Sequence, residues 1–281
     1  MIYLIIALIA TCIISIGFKL VTIYQADMDW VITVNYAVAL VITGFVAVWT
    51  DQVGTEYGKG MFPLAALLGA AMIFNLRCTK KSTDENGMGS TTFFNRIGFL
   101  LCMALSALAW RKVPNGIQIL GIMILLAALI EMMRGVDDGK AAGSIKMFAW
   151  LFLGSGLVSF FNVAYGRYFP AKAQPFFLAE VFAVAFLNSL LLLSRKARQK
   201  KGNRKTDIAL GLLVGTANAA TTFFTLKSLE YLSAAVVMPV TAAGNLLIIA
   251  ITGRIVFHEK GNRHVTVALV CAVISLVLVN M

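Results

Sequence analysis

The chain has 281 residues, of which 59% are hydrophobic and only 13% are charged. An average soluble domain carries roughly 25% charged residues, so a chain this apolar could not cover its own surface in water. The formal net charge of +11 comes mostly from Lys and Arg residues in short gaps between apolar runs, as membrane topology requires. We therefore expect an integral membrane protein and no nucleic-acid partner.

Apolar runs of about 20 residues, the length of helix that crosses a hydrocarbon core of roughly 30 Å, follow one another along the chain. They are continuous rather than alternating, which favours helices over a β-barrel. A polar loop is predicted at residues 79–89. We predict an all-α protein with about ten transmembrane helices, over Ile2–Ile23, Trp30–Trp49, Gly60–Leu76, Thr91–Trp110, Gly116–Met133, Lys146–Phe169, Phe176–Ser194, Ile208–Leu226, Leu232–Ile255 and His264–Val279.

The two halves of the chain resemble each other at a nearly constant offset. Gly69 matches Gly215, and Lys19 near the end of the first helix matches Arg167 near the end of the sixth. Five helices per half is an odd number, so the second half must insert upside down, as in many secondary transporters. We predict two inverted five-helix repeats, residues 1–140 and 141–281, within one membrane-embedded unit.

Loop charges bear on orientation and on lipid contacts. The loops that follow odd-numbered helices hold most of the Lys and Arg residues, and the positive-inside rule then places both termini outside the cell. We expect a multi-pass protein of the cell membrane, a bacterial inner membrane, and a homodimer is compatible with this plan. The most basic loop is expected to contact anionic headgroups through Arg195, Lys196, Arg198, Lys200, Lys201, Arg204 and Lys205.

Ionisable residues inside apolar helices are candidates for function because burying a charge in the bilayer is costly. Glu180, about one turn into the seventh helix, could bind a cation or carry a proton; the alternative is a carboxylate satisfied by the helix dipole and headgroup water. Lys19, Arg167 and Arg96 could face a central cavity and an anionic group. The alternative for Lys19 and Arg167 is that they extend to the interface.

Polar residues and a proline complete the candidate set. Asn218 has Thr221 and Thr222 on its face, with Gly211 and Gly215 at a spacing that lets another helix approach closely. Asn245 is one of several buried amides that either hold helices together or line a path. Pro239 removes a backbone hydrogen bond inside the ninth helix and is expected to kink it. The kink either exposes a carbonyl to a binding cavity or serves only the packing of the helix.

No catalytic or metal-binding motif is found. The sequence has no nucleophile elbow, phosphate loop or zinc-protease motif, and the two histidines, His258 and His264, are too sparse for a metal site. The four cysteines have no C-x-x-C spacing. We expect no enzymatic activity, no cofactor and no metal.

The last fifty-odd residues carry a family resemblance. Leu229-Glu230-Tyr231-Leu232-Ser233-Ala234-Ala235 leads into Val237-Met238-Pro239-Val240, and Phe257-His258-Glu259 opens the final helix. This resembles the ten-helix EamA-type branch of the drug/metabolite transporter superfamily, although Lys112 stands where that family has a glutamate. The resemblance implies alternating-access transport of a small organic solute, usually export. It also implies cytoplasmic termini, opposite to the loop charges. The alternative function is a non-transporting membrane scaffold or partner subunit.

Overall fold

The computed structural model describes residues 2–50, 60–86, 88–111, 115–134, 145–195, 203–256 and 263–279. Within these ranges the chain is helical and contains no strand. The α-helices are α1 Ile2–Ile23, α2 Met28–Trp49, α3 Met61–Asn86, α4 Met88–Ile97, α5 Phe99–Trp110, α6 Gly116–Arg134, α7 Ile145–Tyr168, α8 Gln174–Arg195, α9 Arg204–Leu229, α10 Ala234–Val256 and α11 Arg263–Val279.

Six of the described helices are long and apolar enough to cross a membrane, namely α1, α2, α3, α7, α8 and α9. Shorter apolar segments lie at Phe94–Trp110, Gly116–Glu131, Ala234–Asn245 and Thr266–Ser275, inside the other four predicted spans. The all-α prediction is confirmed, and the helices are compatible with a multi-pass membrane protein.

One predicted feature, the loop between the third and fourth helices, is wrong. The expected loop at 79–89 is largely helical, because α3 continues to Asn86 and α4 begins at Met88. Lys and Glu residues in this stretch favour helix, and a 2.7 Å hydrogen bond between the hydroxyls of Ser82 and Thr91 joins the two helices. The fourth predicted helix is present as α4 and α5, which meet at Gly98, a residue that itself has a helical backbone (φ −55°, ψ −22°).

The chain forms two compact units. The first comprises Met1–Ile73 and Tyr165–Glu230, and the second comprises Phe74–Ala164 and Tyr231–Met281. The boundaries cut through α3 and near the end of α7. Each unit therefore contains residues of both predicted repeats, and the repeats themselves stay a prediction.

In the first unit, α9 lies close against α2 at its glycines. A Cβ atom on Gly211 would lie 2.5 Å from Cβ of Val34, and one on Gly215 would lie 2.7 Å from the carbonyl oxygen of Asn35. These contacts advance together along both helices, so α2 and α9 run parallel. The spacing of the two glycines predicts this close approach.

A second close crossing in the first unit joins α3 and α8. A Cβ atom on Gly69 would lie 2.7 Å from the carbonyl oxygen of Val181 and 3.0 Å from Cβ of Val184. At Gly215 the corresponding neighbours are Asn35 and Val38. Gly69 and Gly215 are 146 positions apart in the sequence. The residues that supply the two carbonyls, Asn35 and Val181, are also 146 positions apart.

In the second unit, α4 and α5 pack on α7 at their junction. The ring of Phe94 stacks on Phe148 with centroids 4.0 Å apart. One turn on, Gly98 lies against Ser155 so closely that a side chain would not fit. Because Gly98 has no side chain, the α4–α5 junction can pack directly against α7.

Candidate functional site

Glu180 is the candidate carboxylate of the first unit. It lies in the second turn of α8, half-buried, and its Oε2 atom is fully buried and accepts no hydrogen bond within the described part of the chain. Phe177 and Val184 share its helix face, and Phe177 is itself covered by the ring of Tyr165 at 4.1 Å between centroids. A carboxyl group in such surroundings needs a nearby cation when it is ionised, and it is otherwise protonated and neutral.

An amide pair joins α2 and α9. Asn218 donates from Nδ2 to Oδ1 of the buried Asn35 at 3.1 Å. One turn further, the hydroxyl of Thr222 donates to the backbone carbonyl of Asn218 at 2.9 Å, so Thr222 is satisfied within its own helix. Oγ1 of Thr221 is buried and has no partner among the described residues. Thr221, rather than Thr222, is therefore the available hydroxyl of this face.

These groups lie at one level of the first unit. The buried side chain of Gln174, at the start of α8, donates from Nε2 to the carbonyl oxygen of Phe223 on α9 at 2.5 Å. Only eight residues separate the end of α8 from the start of α9, so the two helices run antiparallel. Measured from the Gln174–Phe223 contact, Glu180 lies about 9 Å along α8 and Asn218 about 7.5 Å along α9. Asn35, Glu180 and Asn218, with Thr221 about one helical turn nearer the Gln174–Phe223 contact, form what we call the polar layer.

Aromatic rings lie at the same level. Tyr36, which follows Asn35, is buried and packs against buried Phe182 with ring centroids 6.3 Å apart. These two residues are also separated by 146 positions (36 to 182). The polar layer is thus bordered by a pair of rings at equivalent positions of the two predicted repeats.

The cations predicted beside the site lie elsewhere in the first unit. Lys19 is half-buried two residues beyond Gly17, whose Cβ position lies 2.5 Å from Val214. The contacts of Tyr3 with Phe224 and of Gly17 with Val214 show that α1 runs antiparallel to α9, so Lys19 is about 9 Å from the level of Asn218. Arg167 is exposed in the last turn of α7, where a long cationic side chain extends to an interface.

The remaining candidates belong to the second unit. Arg96 is half-buried near the end of α4, beside Asn95, whose Oδ1 accepts a 3.3 Å hydrogen bond from Nδ2 of Asn75. Asn245 is buried in α10, and its Oδ1 has no partner in the described residues. Pro239 is buried inside α10, which continues through it.

Two further contacts in the first unit were not predicted from the sequence. The buried Asp207 accepts a 2.9 Å hydrogen bond at Oδ1 from the backbone N–H of Asp27, the residue that caps α2. The only signal in the sequence is an acidic residue in the first turn of a helix. The guanidinium of Arg204 lies 3.6 Å from the centre of the Trp30 ring.

The basic loop is described only at its ends. Arg195 closes α8, and Lys205 is exposed in the first turn of α9. Residues 196–202, Lys112 and residues 257–262 lie outside the described residues. No group of three or more His, Cys, Asp or Glu residues in the described ranges could hold a metal ion.

Comparison with known proteins gives a fold likeness. No family model matches the chain. No curated protein sequence matches it either. A solved crystal structure matches with a TM-score of 0.71 and 14% sequence identity, covering 99% of this chain and 98% of its own. At this identity the likeness concerns the fold, which extends over nearly the whole of both chains.

Proposed function

We propose that the protein is a secondary transporter that moves a small organic solute across a bacterial inner membrane by alternating access, in the direction of export. The observation that carries this proposal is the relation between the two glycine crossings of the first unit. Gly69 lies against the carbonyl of Val181 as Gly215 lies against that of Asn35, at an offset of 146 in both partners. Exchanging the two predicted repeats converts one crossing into the other.

Such an exchange is expected of an inverted repeat with a two-fold axis. Tyr36 and Phe182 contact each other although they are equivalent residues, and a contact between equivalent residues lies on such an axis. Ten crossings in two inverted sets of five account for this relation. Inverted repeats of this kind recur in secondary transporters, with the substrate site near the middle of the bilayer.

The resemblance to the EamA-type branch of the drug/metabolite transporter superfamily supports the same function. It rests on the turn at 229–235, on Pro239 and on residues 257–259, and it implies export of a small solute. In this proposal Glu180 binds the coupling proton or cation, and Asn218 and Thr221 line the solute path. The basic end of α9 contacts anionic lipid headgroups.

A membrane scaffold is the competing function. A scaffold would satisfy its buried polar groups internally, since each unsatisfied group in hydrocarbon costs several kcal/mol. In the described part of the first unit, Oε2 of Glu180 and Oγ1 of Thr221 are buried without partners. Acceptors left without donors favour a protein that takes a ligand or water at this level.

Cysteine accessibility in membranes tests this function. With Cys12, Cys78, Cys102 and Cys271 replaced, single cysteines are placed at Thr221 and, as a control, at Leu212, which is exposed on the flank of α9. We expect a membrane-impermeant thiol reagent to modify Thr221→Cys from at least one side, while Leu212→Cys, which faces lipid, stays unmodified. If Thr221→Cys is as unreactive as Leu212→Cys from both sides, the scaffold is the better account.

A further inference from the structure

The crossing of α3 and α8 carries a second contact, one turn away from Gly69. Ala65 is fully buried and precedes Gly69 by four residues, so the two lie on one face of α3. Glu180 precedes Val184 by four residues and shares its face of α8 in the same way. A Cβ atom on Gly69 would lie 3.0 Å from Cβ of Val184, so the face of α3 that carries Ala65 meets the face of α8 that carries Glu180.

The direction of the two helices determines which residue of α3 lies beside Glu180. A Cβ atom on Gly60, just before α3, would lie 3.7 Å from Cζ of Phe169, which is five residues before α8 begins. The starts of α3 and α8 are therefore at the same end of the first unit, and the two helices run parallel. One turn before the contact at Gly69, the neighbour of Glu180 is then Ala65.

The equivalent crossing of α2 and α9 shows the same contact directly. There a Cβ atom on Gly211 would lie 2.5 Å from Cβ of Val34. Ala65 is 146 positions before Gly211, and Glu180 is 146 positions after Val34, so this pair occupies the equivalent place in the α3–α8 crossing. The methyl group of Ala65 stands where Gly211 has only a hydrogen, and it packs against the side chain of Glu180.

The contact supplies no hydrogen-bond donor to Glu180. Ala65 offers a methyl group, and the neighbours of Glu180 on its own helix face, Phe177 and Val184, are apolar as well. This arrangement accounts for the buried Oε2 atom of Glu180, which accepts no hydrogen bond within the described part of the chain.

The other ionisable groups of the helices around α8 are directed elsewhere. The hydroxyl of Tyr165 on α7 donates to a backbone carbonyl, and Arg167, two residues on, is exposed on the opposite side of that helix. Tyr36 of α2 packs on a different face of α8. The described part of α3 in this unit has no ionisable residue, and the charged residues of α2 and α9 lie about 12 Å or more from Glu180 along the helix axes. The nearest of these are Asp29, Asp207 and Lys227.

We propose that Ala65 is a positioning residue for Glu180: its methyl group covers the carboxyl from the side of α3 without offering a donor, which leaves the carboxyl to the coupling proton. This inference rests on the proposed function, in which Glu180 binds the coupling ion. A hydroxyl at position 65 would donate to the ionised carboxylate and favour it over the protonated form. A glycine there would uncover the carboxyl to water, which also favours the charged form.

Disulfide formation in membranes tests the contact. In the chain without its native cysteines, Ala65→Cys is combined with Glu180→Cys, and the control pair is Ile73→Cys with Glu180→Cys. Ile73 would face Glu180 if α3 and α8 ran antiparallel, and it lies about 12 Å further along α3. We expect rapid oxidation of the first pair, because neighbouring Cβ atoms meet the disulfide requirement of about 3.5–4.5 Å, and none of the second. Absence of the first cross-link, or equal rates for the two pairs, overturns the proposal.

Labelling with a hydrophobic carbodiimide tests the effect on proton binding without a transport measurement. The reagent adds to a protonated carboxyl group, whose oxygen bonds its central carbon while the proton moves to a nitrogen, and Glu180→Gln gives the background. Ala65→Ser and Ala65→Gly should lose labelling at a pH roughly one unit below that of wild type, a tenfold change in proton affinity. Ala66→Ser is the control, since Ala66 is turned about 100° from Ala65 on the same helix, and it should label as wild type does.

Unchanged labelling in both Ala65 variants, or an equal shift in Ala66→Ser, overturns the positioning role. Failure of the proposed function has a different signature. Cross-linking and shifted labelling without movement of any solute in liposomes would sink transport and leave the role of Ala65 in proton binding standing. Proton-driven movement of a solute with unshifted labelling would sink the role of Ala65 alone.

Discussion

Gly69 and Gly215 occupy equivalent positions in two helix crossings. At each of them a Cβ atom would lie 2.7 Å from a backbone carbonyl oxygen of the helix that is crossed. A methyl group at either position overlaps that carbonyl, and the helices must separate to admit it. The two glycines therefore fix how closely α3 packs on α8 and α9 on α2.

Gly69→Ala and Gly215→Ala should each lower the thermal unfolding midpoint. The cost of overpacking is about 1–3 kcal/mol, larger than the gain of up to about 1 kcal/mol that alanine brings to a helix. Gly44→Ala in α2 is the control, because nothing lies within 4 Å of its Cβ position. A midpoint of Gly69→Ala at or above that of Gly44→Ala would show that the crossing is not as close as described.

The amide pair of Asn35 and Asn218 should contribute a measurable coupling energy. In a double-mutant cycle with Asn35→Leu and Asn218→Leu, we expect about 0.6 kcal/mol and at most about 1.7 kcal/mol, the range for hydrogen bonds between membrane helices. Unfolding in mixed micelles gives the four free energies. Strict additivity of the two substitutions would mean that the 3.1 Å hydrogen bond does not form.

Asp207→Ala should destabilise the first unit through α2, a helix to which Asp207 does not belong. The change removes the acceptor for the N–H of Asp27, and losing a capping interaction costs about 0.5–2 kcal/mol. Asp207→Asn keeps an acceptor oxygen and should cost less. Lys205→Ala, an exposed neighbour in the same turn of α9, should leave the midpoint unchanged. Equal midpoints for Asp207→Ala and Lys205→Ala would contradict the capping role.

Glu180→Gln should separate coupling from solute movement. Glutamine keeps the shape of the side chain and cannot be ionised, so we expect exchange of solute to persist while its stimulation by a proton gradient is lost. Glu131→Gln is the control, since Glu131 is bound to Arg134 and His264 at the ends of α6 and α11. Stimulation that survives in Glu180→Gln at every pH would remove Glu180 from the mechanism.

The sequence predicts local features of this fold well and long-range ones poorly. Continuous apolar runs identify the helices, and the spacing of Gly211 and Gly215 predicts that another helix approaches closely, which the structure shows to be α2. At 79–86 the sequence predicts a loop because the stretch is polar, although its Lys and Glu residues favour helix. The close packing of Gly98 on Ser155 of α7 is a contact that periodicity does not encode.

The same limit applies to the candidate site. The sequence predicts Glu180 and Asn218 as site residues because polar groups in apolar helices are costly, which is a local argument. The partner of Asn218, the difference between Thr221 and Thr222, and the contact of Asp207 with Asp27 depend on helix packing. The sequence predicts Lys19 and Arg167 as site residues from their matching positions in the two halves, but they lie away from the level of Asn218.

Solute-driven proton movement in reconstituted liposomes tests the central claim most directly. Wild-type protein is reconstituted with a pH-sensitive dye inside, and organic acids, amines and neutral solutes are applied outside. We predict that at least one class moves protons with wild type, that Glu180→Gln abolishes this signal and that Glu131→Gln retains it. If no solute crosses the membrane, with or without a proton gradient, the protein is not a secondary transporter.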